Sequence, residues 1–440
     1  MIRQKKYYDI YPKVMQTGVP TEVTICPKNK ARVFTQDLYF AVIIPTKHIN
    51  LGFCREWEML DQVKVQPRDG QLKFTYTFPK EQEYQIWIFA AEDADRDLPK
   101  KPNILDIKSV TEQRVFAVEE DLYCRRPMVG NLHLHSTGSD GQEAPDFIVA
   151  QYRKNGYDFL SLADHHTMEP SIKLVEQFKD LEMGLSLYPA EEVHPPENAI
   201  HMLNFGGDYS VNAIFQNESE RYYKEVEQLQ KWMESTLSED LHAYRLCSCI
   251  WIAEQIRKAG GLAVLSHPME RWPLQYVSEE MLDWLLEHNI FDAMDVAVFQ
   301  PNAMLRQLAR WNDARAKGHN IAITGIDDCH CTTTGKSFMT GKTIVFAAEN
   351  TRDGIVSAIK DGYNVVTHTV QGETPHVYGT YRFVDYVQFL LEEYYPLHDE
   401  IAYTEGLRIH DHNNGDPAAA EDIARISRRA LALERKYFGR

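Results

Sequence analysis

The sequence predicts an α/β protein: a central (β/α) barrel of about seven strands, preceded by a small all-β sandwich and followed by a helical tail. Three observations carry this reading. From Pro127 to residue 370, short apolar strands alternate with stretches of helical spacing. Polar residues stand at the C-terminal end of nearly every one of those strands, where a barrel builds its site. Ahead of residue 125 the rhythm is different, with short alternating strands joined by turn residues. A doubly wound sheet is the alternative. The barrel is preferred because a ring lets many strand ends converge.

Composition sets outer bounds. At 440 residues the chain has room for two or three domains. A formal net charge of −17 argues against stable nucleic-acid binding, which leaves a basic footprint. The basic start MIRQKK leads into no apolar segment and no run is long enough to span a bilayer, so neither a signal peptide nor membrane attachment is expected. Seven scattered cysteines fit a reducing cytoplasm better than a disulfide framework.

Taken in order, residues 1–125 hold TEVTICPK, DLYFAVIIP, DQVKVQP, QLKFTYTFP and EYQIWIFAAE, all rich in β-branched and aromatic residues. Pro67-Arg68-Asp69-Gly70 is a turn signal. Tyr84, ahead of Ile86 and Ile88, resembles the corner tyrosine of an immunoglobulin-like sheet. Trp57 and Trp87 are read as core in preference to sugar or base stacking, and residues 91–108 as a long loop. Residues 126–372 form the barrel. Its strands are VGNLHLHS, DFLSLADHH, LSLYPAEEV, IHMLNFGG, LAVLSHP, AMDVAVF and NIAITGIDDCH, and charged residues 210–245 are a helical insertion. Residues 373–440 are a helical extension suited to packing on its own domain or on a second copy.

Residues 129–141, VGNLHLHSTGSDG, open the chemistry. Period-two alternation puts His133 and His135 on one side of a strand, and a Gly-rich turn then delivers Asp140. The later strand ends add Asp164, His165 and His166, then Glu191, Glu192 and His194. His201, His267, Asp327, Asp328 and His330 follow. A lone histidine is usually a satisfied core residue. This many ionisable groups at one barrel mouth would repel or stay undersolvated without cations, so a metal centre is expected.

In order, HLHSTGSDG, LADHHT, PAEEV, IHMLNFG, GGLAVLSHP and GIDDCH resemble the motifs of the PHP (polymerase and histidinol phosphatase) family of metal-dependent phosphoesterases, over residues 128–370. The resemblance implies a distorted seven-stranded (β/α) barrel holding two or three divalent ions, commonly manganese, iron or zinc. It implies that His133, His135 and Asp328 hold the first metal and that Glu192 bridges it to the second. His201 and His267 complete the second, while Asp140, His165 and His330 bind the third. Three departures accompany it. Ala190 stands where the family often has Gly, Asp327 replaces a Ser, and Asp140 stands where some members carry His. Glu191 is expected to face away from the metals.

Smaller signals remain open. Asp164 either orients a ligand or caps the next helix. His166 and His194 are as readily exposed as functional. Cys329 and Cys331 more often pack than bind zinc. Arg271, four residues after His267, is weighed evenly as a phosphate clamp or a solvated loop residue. His410 and His412 read as loop residues before a helix. The expected activity is hydrolysis of a phosphate ester of a small molecule or nucleotide by a metal-bridging hydroxide. Hydrolysis of a C–N or ester bond and non-catalytic metal binding are the rival functions.

Overall fold

The computed structural model describes residues 7–47, 61–91, 109–233, 241–271, 274–297, 300–370 and 372–439. Trp57 and most of the expected loop 91–108 lie outside them. The chain divides into two compact units, one holding residues 1–125, 388–394 and 429–440, the other residues 126–387 and 395–428. The helical extension therefore makes no third unit.

In the first unit the strands are β1 (Tyr8–Tyr11), β2 (Val14–Gln16), β3 (Pro20–Pro27), β4 (Tyr39–Pro45), β5 (Asp61–Val65), β6 (Pro67–Arg68), β7 (Gln71–Thr77), β8 (Gln82–Ala90) and β9 (Thr111–Val118). They form two sheets, in the orders β1-β3-β7-β6 and β2-β9-β8-β4-β5. All pairs are antiparallel except β2 with β9. Alternate residues of each sheet meet in one core. Ile10, Val23, Ile25 and Leu72 come from the first sheet, and Ile43, Ile86, Ile88 and Val115 from the second. Tyr84 is buried, and its hydroxyl donates to the Lys80 carbonyl at 2.9 Å, which ties down the turn into β8. Trp87 packs against the Phe40, Val42, Ile44 and Phe89 cluster, and its ring N–H donates to Gln85. At the C-terminal end of this unit, Glu393 forms a buried 2.8 Å ion pair with Lys13, and the Tyr437 carbonyl accepts from the Lys13 N–H.

The second unit alternates strands and helices as the sequence implies. Its strands are β10 (Arg126–Asn131), β11 (Phe159–Leu160), β12 (Ser186–Leu187), β13 (Ala190–Val193), β14 (Met202–Phe205), β15 (Leu262–Leu265), β16 (Ala293–Ala297), β17 (Ala322–Gly325), β18 (Gly341–Ala347), β19 (Asn364–His368) and β20 (His376–Tyr378). After the short α1 (Glu120–Tyr123) of the first unit come α2 (Pro145–Lys154), α3 (Glu169–Phe178), α4 (Asn212–Asn217), α5 (Ser219–Met233), α6 (Ala243–Lys258), α7 (Glu279–Glu287), α8 (Pro301–Ala316) and α9 (Arg352–Lys360). The last helices are α10 (Tyr381–Glu393), α11 (Tyr395–Asn413) and α12 (Ala419–Phe438). Local chemistry explains their limits. Helix α2 starts on Pro145, carries Arg153 and Lys154 in its last turn, and is followed by Gly156 at φ +82°.

The expected closed barrel ladder is not what forms among the described residues. The strands fall into two sheets, β12-β11-β10-β18-β19-β20 and β13-β14-β15-β16-β17. Strand β14 is antiparallel to both neighbours, so the second sheet is mixed. The expected strand LSLYPAEEV is two strands in two different sheets. Pro189 has no N–H to continue the β12 ladder, and the chain crosses to the other sheet at that point. Two single-residue parallel pairings link the sheets, Leu134 with Cys329 and His165 with Glu192. At the other seam, side chains replace the ladder. The Thr343 hydroxyl donates to the Gly325 carbonyl at 3.0 Å and accepts from its N–H at 2.9 Å, while the Asn364 amide donates to the Ile323 carbonyl.

Helix α11 packs on α2 so closely that a Cβ at Gly406 would stand 2.5 Å from the Lys154 backbone nitrogen. Beside that contact lies a buried charge network. Arg153 pairs with Glu405 at 2.6 Å and Asp158 at 3.1 Å, and His398 contacts Asp158 at 2.8 Å. His410 and His412 belong to the last turn of α11, not to a loop. No helix among the described residues is long and apolar enough to cross a membrane.

Candidate metal centre

Strand β10 ends at Asn131, so His133 and His135 sit on its extended exit rather than inside the ladder. That exit is fixed by the His135 N–H donating to the Cys329 carbonyl and the Ala163 N–H donating to Leu134. The chain then turns through residues 136–141. Asp164 anchors the turn, accepting from the Ser136 N–H (2.9 Å), the Ser136 hydroxyl (2.7 Å) and the Ser139 hydroxyl (2.6 Å). Gly141 lies against the His135 backbone, where a Cβ would fall 2.5 Å from the carbonyl carbon. Asp140 is thereby presented beside His135, and Asp164 is the residue that holds its turn.

The pleat of β13 separates its two glutamates. Glu191 points away and is fully satisfied by Asn204, Ser210, the Val211 N–H and Asn212. Glu192 points into a ring of six imidazoles. Its Oε1 lies 2.9 Å from His201 Nδ1 and 3.1 Å from His267 Nε2. Its Oε2 lies 2.7 Å from His165, 3.3 Å from His194, 3.4 Å from His133 and 3.7 Å from His135. Asp328 stands 2.9 Å from His135 and 3.5 Å from His133. Asp140 stands 3.3 Å from His330, 3.5 Å from His165 and 3.8 Å from His135. All nine residues implied by the sequence resemblance thus converge. His267 and Asp328 do so with φ of +27° and +45°, left-handed backbone that costs non-glycine residues about 1–3 kcal/mol and gathers at functional sites.

The electrostatics follow from crowding. Burial opposes ionisation of Glu192, but the surrounding rings, His133 and His201 foremost, hold its carboxyl well below the usual range. Asp328 is likewise depressed against burial by His133 and His135. Burial favours the neutral ring of His133, yet Glu192 and Asp328 raise it to about 9. His267 is raised to about 10, again against burial and chiefly through Glu192. Without cations, protons are the counter-charge these carboxylates recruit.

The donors fit metal ions on a separate ground. Both ring nitrogens of His133, Nδ1 of His135, Nδ1 of His267 and Oε2 of Glu192 are buried with no hydrogen-bond partner among the described residues. Leaving a buried polar atom unsatisfied costs about 1–3 kcal/mol. Three-donor and four-donor groups compact enough for one ion are His133-His135-Asp328, His133-Glu192-His267, His135-Asp140-His165-His330 and His165-Glu192-His194. None includes Cys329 or Cys331. The Cys331 thiol instead contacts Glu143, Thr333 and Thr334, and Cys329 is packed in the interior.

The centre opens into a cleft of about 480 Å³ lined by Asp140, His165, His201, His267, Asp328 and His330, with Glu270, Tyr276, Lys336 and Ser337. Arg271 is exposed and does not line it; the cationic side chain in the wall is Lys336. His166 is exposed, outside the donor groups. Asp327 is buried beneath the site, bonded to Tyr152, Asn131 and the Met339 N–H, and burial raises its carboxyl to about 7. Sequence reading passed over Glu270, Tyr276, Lys336 and Ser337, which lie on turns with no motif to mark them. It also passed over Asp295, buried in β16 with Oδ2 unpartnered. Its signal was a charged residue inside the apolar strand AMDVA.

No protein-family model matches the chain, and no curated protein matches it. Solved structures do resemble it. Two of them are predicted metal-dependent phosphoesterases, one of these PHP-like. A two-domain protein containing a predicted PHP-like metal-dependent phosphoesterase, from Bacteroides vulgatus, is 17% identical, with 55% of this chain and 65% of that one covered and a TM-score of 0.40. A candidate metal-dependent phosphoesterase from Bifidobacterium adolescentis is 19% identical, covering 46% and 87%, with a TM-score of 0.34. An amidohydrolase from Chromobacterium violaceum, holding sulfate and no metal, is 15% identical, covering 46% and 88%, with a TM-score of 0.31.

Proposed function

We propose that this chain is a metal-dependent phosphoesterase acting on a phosphate ester of a small molecule or nucleotide. The observation that carries the proposal is the ring of six imidazoles around one buried glutamate, with donor atoms left unpartnered. His133, His135, Glu192 and Asp328 would hold one divalent cation, and Glu192, His201 and His267 a second. Asp140, His165 and His330 would hold a third. Manganese, iron and zinc all suit such mixed imidazole and carboxylate sets. Cations bound there would supply Lewis acidity toward phosphoryl oxygens and acidify water near neutral pH.

The chain's own residues do the rest. Glu192 offers one oxygen to each neighbouring set and so fixes their spacing. Lys336 brings positive charge to a wall otherwise rich in carboxylates, where an anionic substrate must enter. The cleft volume suits a small phosphorylated molecule. The test is phosphate release from a panel of phosphomonoesters, nucleotides and short oligonucleotides by protein reloaded with Mn²⁺, Fe²⁺ or Zn²⁺. Turnover that disappears on chelation is expected. No turnover on any phosphate, or turnover of lactones or amides alone, would overturn the proposal.

A further inference from the structure

We propose that His194 is a metal ligand, joining Glu192 Oε2 and His165 Nδ1 in a cation site additional to the nine-residue set. This rests on the reading that the centre holds divalent cations. His194 follows β13 by one residue, and its position is built rather than incidental. Its N–H donates to Asn212 Oδ1 at 3.1 Å, and the Asn212 amide nitrogen donates to Glu191 Oε2 and to the Glu192 carbonyl, both at 2.9 Å. One asparagine thus fixes the whole stretch from Glu191 to His194.

The side-chain geometry is that of a donor set. His194 Nε2 lies 2.8 Å from His165 Nδ1 and 3.3 Å from Glu192 Oε2, and His165 Nδ1 lies 2.7 Å from the same oxygen. A proton shared between the two rings would satisfy both nitrogens. It would leave one side of Glu192 Oε2, the oxygen this site shares with the His133-His135 set, without a partner, because neither ring directs an N–H at that fully buried atom. A cation among the three donors satisfies all of them at once. His165 has a second option, since its Nε2 faces Asp140 Oδ2 at 3.5 Å. A neutral imidazole has one lone pair, so His165 serves one set at a time. The Asp140 set keeps Asp140 and His330 when His165 turns to His194, His135 being engaged with Asp328 in the first set. His194 is therefore the residue that isolates the additional site. His166, whose ring centre lies 4.5 Å from that of His194 but which belongs to no donor group, is the natural control.

The 440-residue chain is saturated with Zn²⁺, dialysed, and its metal content measured, and crystals of the same chain yield an anomalous difference map. The expected result is a peak about 2.1 Å from His194 Nε2. H194A and H194Q should each lose roughly one equivalent of zinc relative to wild type, consistent with a single site holding one ion, while H166A loses none. Two substitutions guard against a folding defect in either. A wild-type map with peaks around Asp328 and none at His194 would overturn this inference and leave the proposed function standing. Unchanged zinc content in both His194 variants would do the same. A wild-type protein that binds no zinc would overturn both.

Discussion

Glu192 differs from the other acids of the centre in meeting six imidazoles. Glu192→Gln keeps the shape but removes the charge that draws six imidazoles together. It should therefore empty the sets on both of its oxygens. Asp140 is about half exposed, and the imidazoles it contacts are those of His135, His165 and His330, so Asp140→Asn should lose part of the metal and keep the rest. Metal analysis of the two variants side by side checks this, and equal losses would contradict the division. Asp164 acts one step further out. Asp164→Ala removes the acceptor of the Ser136 N–H and of the Ser136 and Ser139 hydroxyls, which should cost about 2–4 kcal/mol of stability and lower metal content only at the Asp140 set. Chemical denaturation with a parallel metal assay reads both effects. At this scale the residues that converge around Glu192 were legible because His, Asp and Glu recur at strand ends. Arg271, weighed evenly as clamp or solvated loop residue, is exposed outside the cleft wall, and its turn hides from the sequence which side chain faces the cleft. Lys336, on a Gly-containing turn, carried no pattern at all.

Among the elements, α11 and its contacts with α2 and Asp158 are the most testable. Gly406→Ala would drive a Cβ into the α2 backbone, where Lys154 N and Ala150 O leave no room, and should destabilise the fold by about 1–3 kcal/mol. His398 gives the same contact a pH dependence. Burial favours its neutral ring, but Asp158 and Asp399 outweigh burial and the nearby Arg153 charge, raising it to about 9 from an ordinary 6.5. A raised histidine stabilises the fold fully below its unfolded value. That contribution, roughly 3 kcal/mol, is lost as pH climbs from 6.5 through about 9. Denaturation midpoints measured from pH 6 to 10 should fall over that window in wild type and fall less in His398→Gln. Helices such as α2 and α12 were legible in apolar spacing, whereas the last turn of α11, with His410 and His412, read as a loop. The β12–β13 break was not, because LSLYPAEEV reads as one strand unless Pro189 is given its full weight. The reversed direction of β14 left no mark, since strand direction has no signature in side-chain alternation.

The whole molecule is two units whose C-terminal segments are shared out between them. In the first, Lys13 is buried and neutralised by Glu393, while its N–H bonds to Tyr437. Removing residues 429–440 deletes Tyr437 and the buried Phe438, and should lower the melting temperature of the β unit while metal content per folded protein stays unchanged. Calorimetry on the truncated chain checks this, and an unchanged transition would contradict it. The sequence conveyed the division near residue 125 through the change of rhythm, because period-two alternation and helical spacing are both local. It could not convey the helical segments that complete the first unit, because that contact depends on residues some 380 positions apart.

The claim on which the rest depends is that the imidazole ring around Glu192 is a multi-metal centre. An anomalous difference map of the protein crystallised with Zn²⁺ or Mn²⁺ tests it most directly. The prediction is at least two peaks, each about 2–2.3 Å from a Glu192 carboxylate oxygen, with His133 or His267 nitrogens at similar range. A map with the ring ordered, the metal in excess and no peak between those side chains would contradict it.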